Sequence, residues 1–163
     1  MKKSLFSTLL LSAVVALFVS SCGDSAAHVN DVIVAKADKV NELMSEATDF
    51  LGDEDYEKVK LYLDSISIHV EASKPIISAL DNKSAEGLKT ATIEYLDICS
   101  AGVTELKQAI DVFQSFEGSE GDVDKYNKAV ESLNEFIKKA DDKLEEAQAA
   151  QVEFAKANNI TLR

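Results

Sequence analysis

Beyond residue 27 the apolar side chains recur three and four positions apart almost without interruption, the period of an α-helix with one buried face. Val29, Val32, Ile33, Val40, Leu43, Ala47, Phe50 and Leu51 predict a first helix. Gly52 is expected to stop it, and Asp53, Glu54 and Asp55 open a second helix where acids complement the helix dipole. That second helix carries Tyr56, Val59, Tyr62, Leu63, Ile66, Val70 and Ser73 on one face. Pro75 disfavours the helical state at Lys74, so the helix is expected to end or kink there, leaving an irregular stretch from Ile76 to Lys83.

Ser84 is expected to cap a third helix with Glu86 in its first turn. Its face comprises Leu88, Thr92, Tyr95, Leu96, Cys99, Val103, Leu106, Ile110, Phe113 and Phe116. The stretch from Glu117 to Gly121, with two glycines, breaks the pattern. Asp122 is expected to cap a fourth helix with the stripe Tyr126, Val130, Leu133, Ile137, Leu144, Gln148 and Phe154, closed by Asn158 in a left-handed conformation. No segment alternates with period two over a useful length, so no strand is expected.

Amphipathic helices joined by short links bury their stripes best as an antiparallel bundle. The expected fold is therefore all-α: an up-down-up-down four-helix bundle over residues 28–163, its fourth helix roughly 35 residues and about 50 Å long. A three-helix bundle with a broken hairpin is the alternative.

The first twenty-two residues follow a different rule. Lys2 and Lys3 precede an apolar run from Leu5 to Val19, too short for a membrane span and the length of a signal-peptide core. The run ends in Val19-Ser20-Ser21-Cys22, which resembles the bacterial lipobox. On that reading residues 1–21 are removed as a lipoprotein signal peptide and the Cys22 thiolate takes up the lipid. Residues 22–27 then form the lipidated cysteine and a short tether, with several acyl chains holding the protein on a bilayer. The alternative is an ordinary secretory signal cut after Ser21. Gly23, rather than Asp, directly after the cysteine points to the outer membrane in Gram-negative sorting.

The C-terminal stretch Gln151-Val152-Glu153-Phe154-Ala155-Lys156-Ala157-Asn158-Asn159 resembles the ending of a family of lipid-anchored helical surface proteins of Bacteroidetes and Leptospira. The lipobox, the proline at the end of the second helix and the long fourth helix are similar too. The resemblance implies a helical cell-envelope lipoprotein and transfers no functional residue except the lipid-bearing Cys22. Surface-exported members often carry several acids after the cysteine, whereas here Asp24 stands alone, so the periplasmic and external faces both remain open.

Charge and chemistry narrow the function. The chain of 163 residues has 17 Lys and Arg against 29 Asp and Glu, a formal charge of −12 that becomes −14 once the leader's two lysines are removed. Such a field argues against nucleic acid and favours basic partners. His28 and His69 both lack the Glu three residues earlier that a di-iron bundle requires, and are expected at the surface or boundary. The acids Asp53, Asp55 and Glu57, and Glu120, Asp122 and Asp124, alternate as in the start of a calcium loop, but Lys58 and Lys125 stand where its glycine belongs. They are read as helix-start acids.

Cys99 lies within an apolar stripe and reads as a buried structural thiol. Ser100, Ala101 and Gly102 form a small-residue cluster suited to close helix approach. The aromatics Tyr56, Tyr62, Tyr95, Phe113, Tyr126 and Phe154 are expected in the core, and Glu54 with Lys58 and Glu135 with Lys139 as ion pairs. Catalytic, metal and cofactor residues are expected to be absent. The expected function is a non-enzymatic envelope module, bound to the membrane through Cys22, that binds a protein partner or serves structurally. The alternative is a carrier or sensor holding a small apolar ligand between helices.

Overall fold

The structure, a computed structural model, describes residues 23–162. Four helices account for nearly all of them: α1 (Ala26–Gly52), α2 (Tyr56–Ala79), α3 (Glu86–Gln114) and α4 (Glu120–Ala157), with one 3₁₀ turn (Lys83–Ala85) before α3. Consecutive helices pack against one another, most extensively α3 with α4, and short links force each to run antiparallel to the last. This is the expected four-helix bundle. The ring does not close evenly, since α1 touches α3 across the diagonal more than it touches α4.

The core is built mainly from the stripes of the first three helices, with Phe136, Ala140, Ala147 and Phe154 added by α4. Val29, Ile33, Val40 and Leu43 of α1 meet Leu63, Ile66, Val70 and Ile77 of α2, with Leu88, Leu96, Cys99 and Ile110 of α3 beneath both. Among the described residues the core and its supporting layer run from Ala26 to Ile160.

The helix ends are where local chemistry departs from expectation. Gly52 is the last residue of α1, and the left-handed position falls two residues later, at Glu54 (φ 59°). Asp55 N–H donates to the Phe50 carbonyl (2.9 Å) and Glu54 N–H to the Leu51 carbonyl (3.2 Å), a Schellman closure around a non-glycine residue. The same motif ends α4, with Asn159 rather than Asn158 left-handed (φ 54°) and Ile160 N–H donating to the Ala155 carbonyl (2.8 Å). Ser119, not Asp122, caps α4: its hydroxyl accepts from Asp122 N–H (3.3 Å) and donates to the Asp122 carboxylate (2.6 Å). Asn82 caps the 3₁₀ turn through Ser84 N–H, and α3 itself begins without a side-chain cap.

Pro75 neither ends α2 nor leaves residues 76–79 irregular. Proline inside a helix costs about 3 kcal/mol because it removes one backbone hydrogen bond. Here the ring is exposed to solvent, and the turn beyond it carries Ile77, fully buried. An ion pair from Lys74 to Asp97 of α3 ties the same turn down. Burial of one isoleucine contributes about 1.5–3 kcal/mol, comparable to the proline's cost, and the continued packing of this turn offsets the remainder.

Candidate functional site: the N-terminal clasp and the open α1/α4 seam

Cys22 and the leader lie outside the described residues, but the two positions that follow the cysteine are fixed. Asp24 N–H donates to the Asp81 carbonyl (2.9 Å), Asp81 N–H donates back to the Asp24 carboxylate (2.9 Å), and Asn82 Nδ2 donates to the Asp24 carbonyl (3.0 Å). Ser25 then caps α1 by accepting from His28 N–H (3.2 Å). The expected tether is thus shortened to two residues, fastened to the link between α2 and α3. Gly23 is required here: a Cβ on it would come 2.7 Å from the Asp81 carbonyl oxygen, a backbone atom that cannot swing away. Its identity therefore has a packing reason independent of any sorting rule.

Side chains latch three of the four neighbouring helix seams. Between α1 and α2, Phe50 stacks on Tyr62 (5.3 Å between ring centres), with the Lys58 ammonium over the Phe50 ring at 4.6 Å. Between α2 and α3 run ion pairs from Lys60 to Asp111 (2.7 Å), Lys107 to Asp64 and Lys74 to Asp97. Between α3 and α4, Lys143 bonds Glu94 (2.8 Å) as well as Glu146 of its own helix (2.6 Å). These carboxylates hold the Lys143 ammonium well above the ordinary lysine range.

The small-residue cluster of α3 serves that third seam. The Phe136 ring of α4 lies directly on Gly102, in the space a Cβ would occupy. Glycine in mid-helix is unfavourable by about 1 kcal/mol, so close packing of an aromatic ring is its compensation.

The fourth seam, α1 against α4, is different. One side-chain hydrogen bond crosses it, from Gln151 Nε2 to Asn30 Oδ1 (3.3 Å), and no ion pair does among the described residues. Above this bond lie two clefts. The lower, a cavity of about 80 Å³, lies between Val34, Ala37 and Asp38 of α1 and Leu144 and Gln148 of α4. The upper, about 40 Å³, lies between Met44, Thr48 and Leu51 of α1 and Leu133 and Ile137 of α4, floored by Leu63, Leu106 and Phe113. Apart from the Thr48 hydroxyl, the upper cleft is lined by apolar side chains.

The expected stripe of α4 is corrected accordingly. The residues it turns into the core are Ala129, Phe136, Ala140, Ala147 and Phe154, a set rotated by about one position from the sequence reading. Ile137 and Tyr126 are each 37% exposed, and Gln148 is exposed. The larger aliphatic residues Val130, Leu133, Ile137 and Leu144 thus stand half covered or exposed. Phe116 leaves the core too, packing with Tyr126 (5.0 Å) beside the Phe113–Tyr126 contact (5.0 Å).

Tyr95 and Cys99 of α3 are both buried in the core. Burial pushes the Cys99 thiol up to about 11, the Tyr95 hydroxyl pulling weakly the other way, so the sulfur stays protonated and inert. Burial likewise raises the Tyr95 phenol, helped by its bond to Cys99 and by the charges of Asp141 and Asp38.

The remaining candidates fall elsewhere. His28 is exposed at the start of α1. His69 is half-buried, its Nε2 enclosed without a hydrogen-bond partner, as is the hydroxyl of fully buried Ser73 one turn later. The two acid groups considered for calcium are occupied with helix starts. Asp55 caps α2 and pairs with Lys58 (2.8 Å), displacing the expected Glu54–Lys58 pair, while Asp122 bonds Ser119. The carboxyls of Asp55 and Asp122 are both held below the usual range, through hydrogen bonds from Lys58 and Ser119 respectively. Glu135 and Lys139 do pair, at 3.8 Å. Among the described residues no group of three or more His, Cys, Asp or Glu is arranged to hold a metal ion, and no helix is long and apolar enough to cross a membrane.

The chain matches no family model, no curated protein and no solved structure.

Proposed function

We infer that this protein is a lipid-anchored module of the bacterial cell envelope, held on the outer membrane through Cys22, whose helical bundle binds a partner protein without catalysing a reaction. The observation that carries the binding part is the α1/α4 seam, where apolar residues line a cleft that the bundle's own side chains leave unfilled. A groove of this composition is the usual site for an apolar face of a partner. The anchoring part is supported by the lipobox Val19-Ser20-Ser21-Cys22 and by the resemblance to helical surface lipoproteins. With Gly23 and Asp24 fastened to the α2–α3 link, a lipid on Cys22 holds the bundle by that end. The α1–α2 and α3–α4 links then point away from the bilayer.

The test is metabolic labelling of the full-length protein with an alkyne-bearing palmitate analogue, wild type against Cys22→Ala. Acylation lost in the variant, together with its release from the membrane fraction, is the expected outcome. Label retained on Cys22→Ala rules out the anchor. Photo-crosslinkers at Ser45 and Asn134, exposed on the two rims of the seam, are expected to trap a discrete partner in cells, whereas one at Ser65 on the outer face of α2 is not.

A second reading, a carrier or sensor for a small apolar ligand, is favoured by the nearly wholly apolar lining of the upper cleft. Native mass spectrometry decides it: a co-purifying mass that leaves on unfolding supports a carrier, and a clean apoprotein mass removes tight binding.

A further inference from the structure

The clasp leaves almost no slack between the bundle and whatever is attached to Cys22. The N–H, the carboxylate and the carbonyl of Asp24 are each engaged by the α2–α3 link, and Gly23 lies against the Asp81 carbonyl with no room for a side chain. From Gly23 onward the backbone is therefore part of the folded body. Cys22 precedes it across one peptide bond, about 3.8 Å between Cα atoms. The same end is fastened from a third side, where Ser84 Oγ of the α2–α3 link donates to Asn158 Oδ1 at the end of α4 (3.3 Å). The start of α1, the α2–α3 link and the end of α4 thus form one tied face.

Charge is spread unevenly between this face and the opposite end. The stretches 49–57 and 115–124, which hold the α1–α2 and α3–α4 links, contain five and four acids and no lysine or arginine. Asp55 and Asp122 pair with Lys58 and Lys125 in the first turns of α2 and α4, and the other acids of these stretches are exposed. At the tied face Asp24, Asp81 and Glu86 stand with Lys83 and Lys156, so the two signs nearly balance. A leaflet that contains anionic lipid repels the far end more strongly than the tied one. A body attached without slack at its nearly neutral end, and charged at the other, is turned with the charged end outward.

We propose that the clasp makes the bundle a rigid spacer that stands end-on on the bilayer. Its tied face meets the headgroups, and the acidic links are held about 44 Å above them, the length of the 29 residues of α3 at 1.5 Å each. The proposal rests on lipid attachment at Cys22 and adds to it a fixed height and a fixed end. Residues 23–25 are on this account a mount rather than a tether.

The experiment uses the full-length lipidated protein, reconstituted into vesicles of phosphatidylethanolamine and phosphatidylglycerol with an acceptor dye on the headgroups. A donor dye on Glu117→Cys marks the far end, and one on Thr161→Cys marks the tied face. Cys99 is buried and does not take the label. Energy transfer is expected to be strong from position 161 and weak from position 117. Inserting eight Gly and Ser residues between Cys22 and Gly23 leaves the clasp intact but adds about 16 Å of reach, and is expected to lower the ratio of the two signals at least about twofold. Asp24→Ala with Asn82→Ala removes two of the three clasp hydrogen bonds and is expected to lower the ratio in the same direction, with retained helicity showing that the bundle is still folded.

Equal transfer from the two positions in the wild type overturns the proposal, because the bundle then lies along the membrane. So does a wild-type ratio matched by that of the insertion variant, because the clasp then adds nothing to the height. Protein that does not float with the vesicles removes the anchor and the spacer together. Protein that floats but gives either of the first two results removes the spacer alone and leaves the anchor standing.

Discussion

The two long sides of α4 meet the rest of the bundle in opposite ways. Against α3 it buries Phe136 on a glycine and holds Glu94 through Lys143. Against α1 it turns Leu133, Ile137 and Leu144 toward a cleft crossed by a single amide–amide hydrogen bond. One helix thus carries a seam latched by side chains and one that is not, although an open groove of about 300 Å³ also runs between Glu105 and Val112 of α3 and Lys125 and Ser132 of α4. The closed seam combines small against large with charge against charge. At the open seam medium-sized aliphatics face one another, and no ion pair crosses it among the described residues. What holds α4 in place is mainly its contact with α3.

The largest expected effect separates the two sides directly. Phe136→Ala removes the ring from the closed seam and is expected to cost about 3–5 kcal/mol in urea unfolding. Ile137→Ala, its neighbour on the open side, is expected to cost less than about 1.5 kcal/mol, since its side chain is already more than one third exposed. Equal costs at the two positions erase the distinction between the seams.

Gly102→Ala comes next. The added methyl overlaps Phe136, and overpacking of about 1–3 kcal/mol is expected to outweigh the roughly 1 kcal/mol of helix propensity gained. Combining it with Phe136→Leu is expected to recover part of the loss, a coupling that a double-mutant cycle measures. Glu54→Gly, in the left-handed position at the end of α1, is expected to raise stability by about 1 kcal/mol without touching either seam. It serves as the calibration for a purely local effect.

Cys99 reads the opening of the core around α3. A protonated, buried thiol at pH 8 is expected to resist alkylation until that core opens, so its labelling rate measures local opening. A rate identical to that of global unfolding means that this part of the core does not open independently. The smallest effect is ionic. Lys143→Gln is expected to lower the melting midpoint slightly at low salt and not at high salt, because the pair is surface-exposed and screened. Acid acts on the caps in the same modest way. The carboxyls of Asp55 and Asp122 have folded-state values below their unfolded ones, so the stability they add is present above about pH 4 and lost as pH falls through the folded values.

The sequence carried the helices themselves well, because period and punctuation are local. Cys99 and Leu96 lie where a stripe needs apolar bulk, and the acids at 53–55 open the second helix as expected, whereas the caps expected of Ser84 and Asp122 fall to Asn82 and Ser119. It erred where two local preferences competed and a distant contact chose. At Pro75 the proline preference lost to the burial of Ile77. On α4 hydrophobic size pointed to Ile137 and Leu133, whereas proximity to α3 selected Ala129, Phe136 and Ala140. The seam was legible only as a stripe that resembled core, since periodicity states which residues share a face and not whether anything covers it.

The sequence by itself determined an all-helical chain, most of the apolar faces of the first three helices and the lipobox-like ending at Cys22, all of which depend on neighbours within a few turns. The tertiary structure alone decided that Asp24 clasps the α2–α3 link, that Gly102 receives Phe136, and that α1 stands off from α4. These are contacts between residues tens of positions apart. They are settled by how four cylinders of unequal side chains fill one volume, which no local pattern specifies.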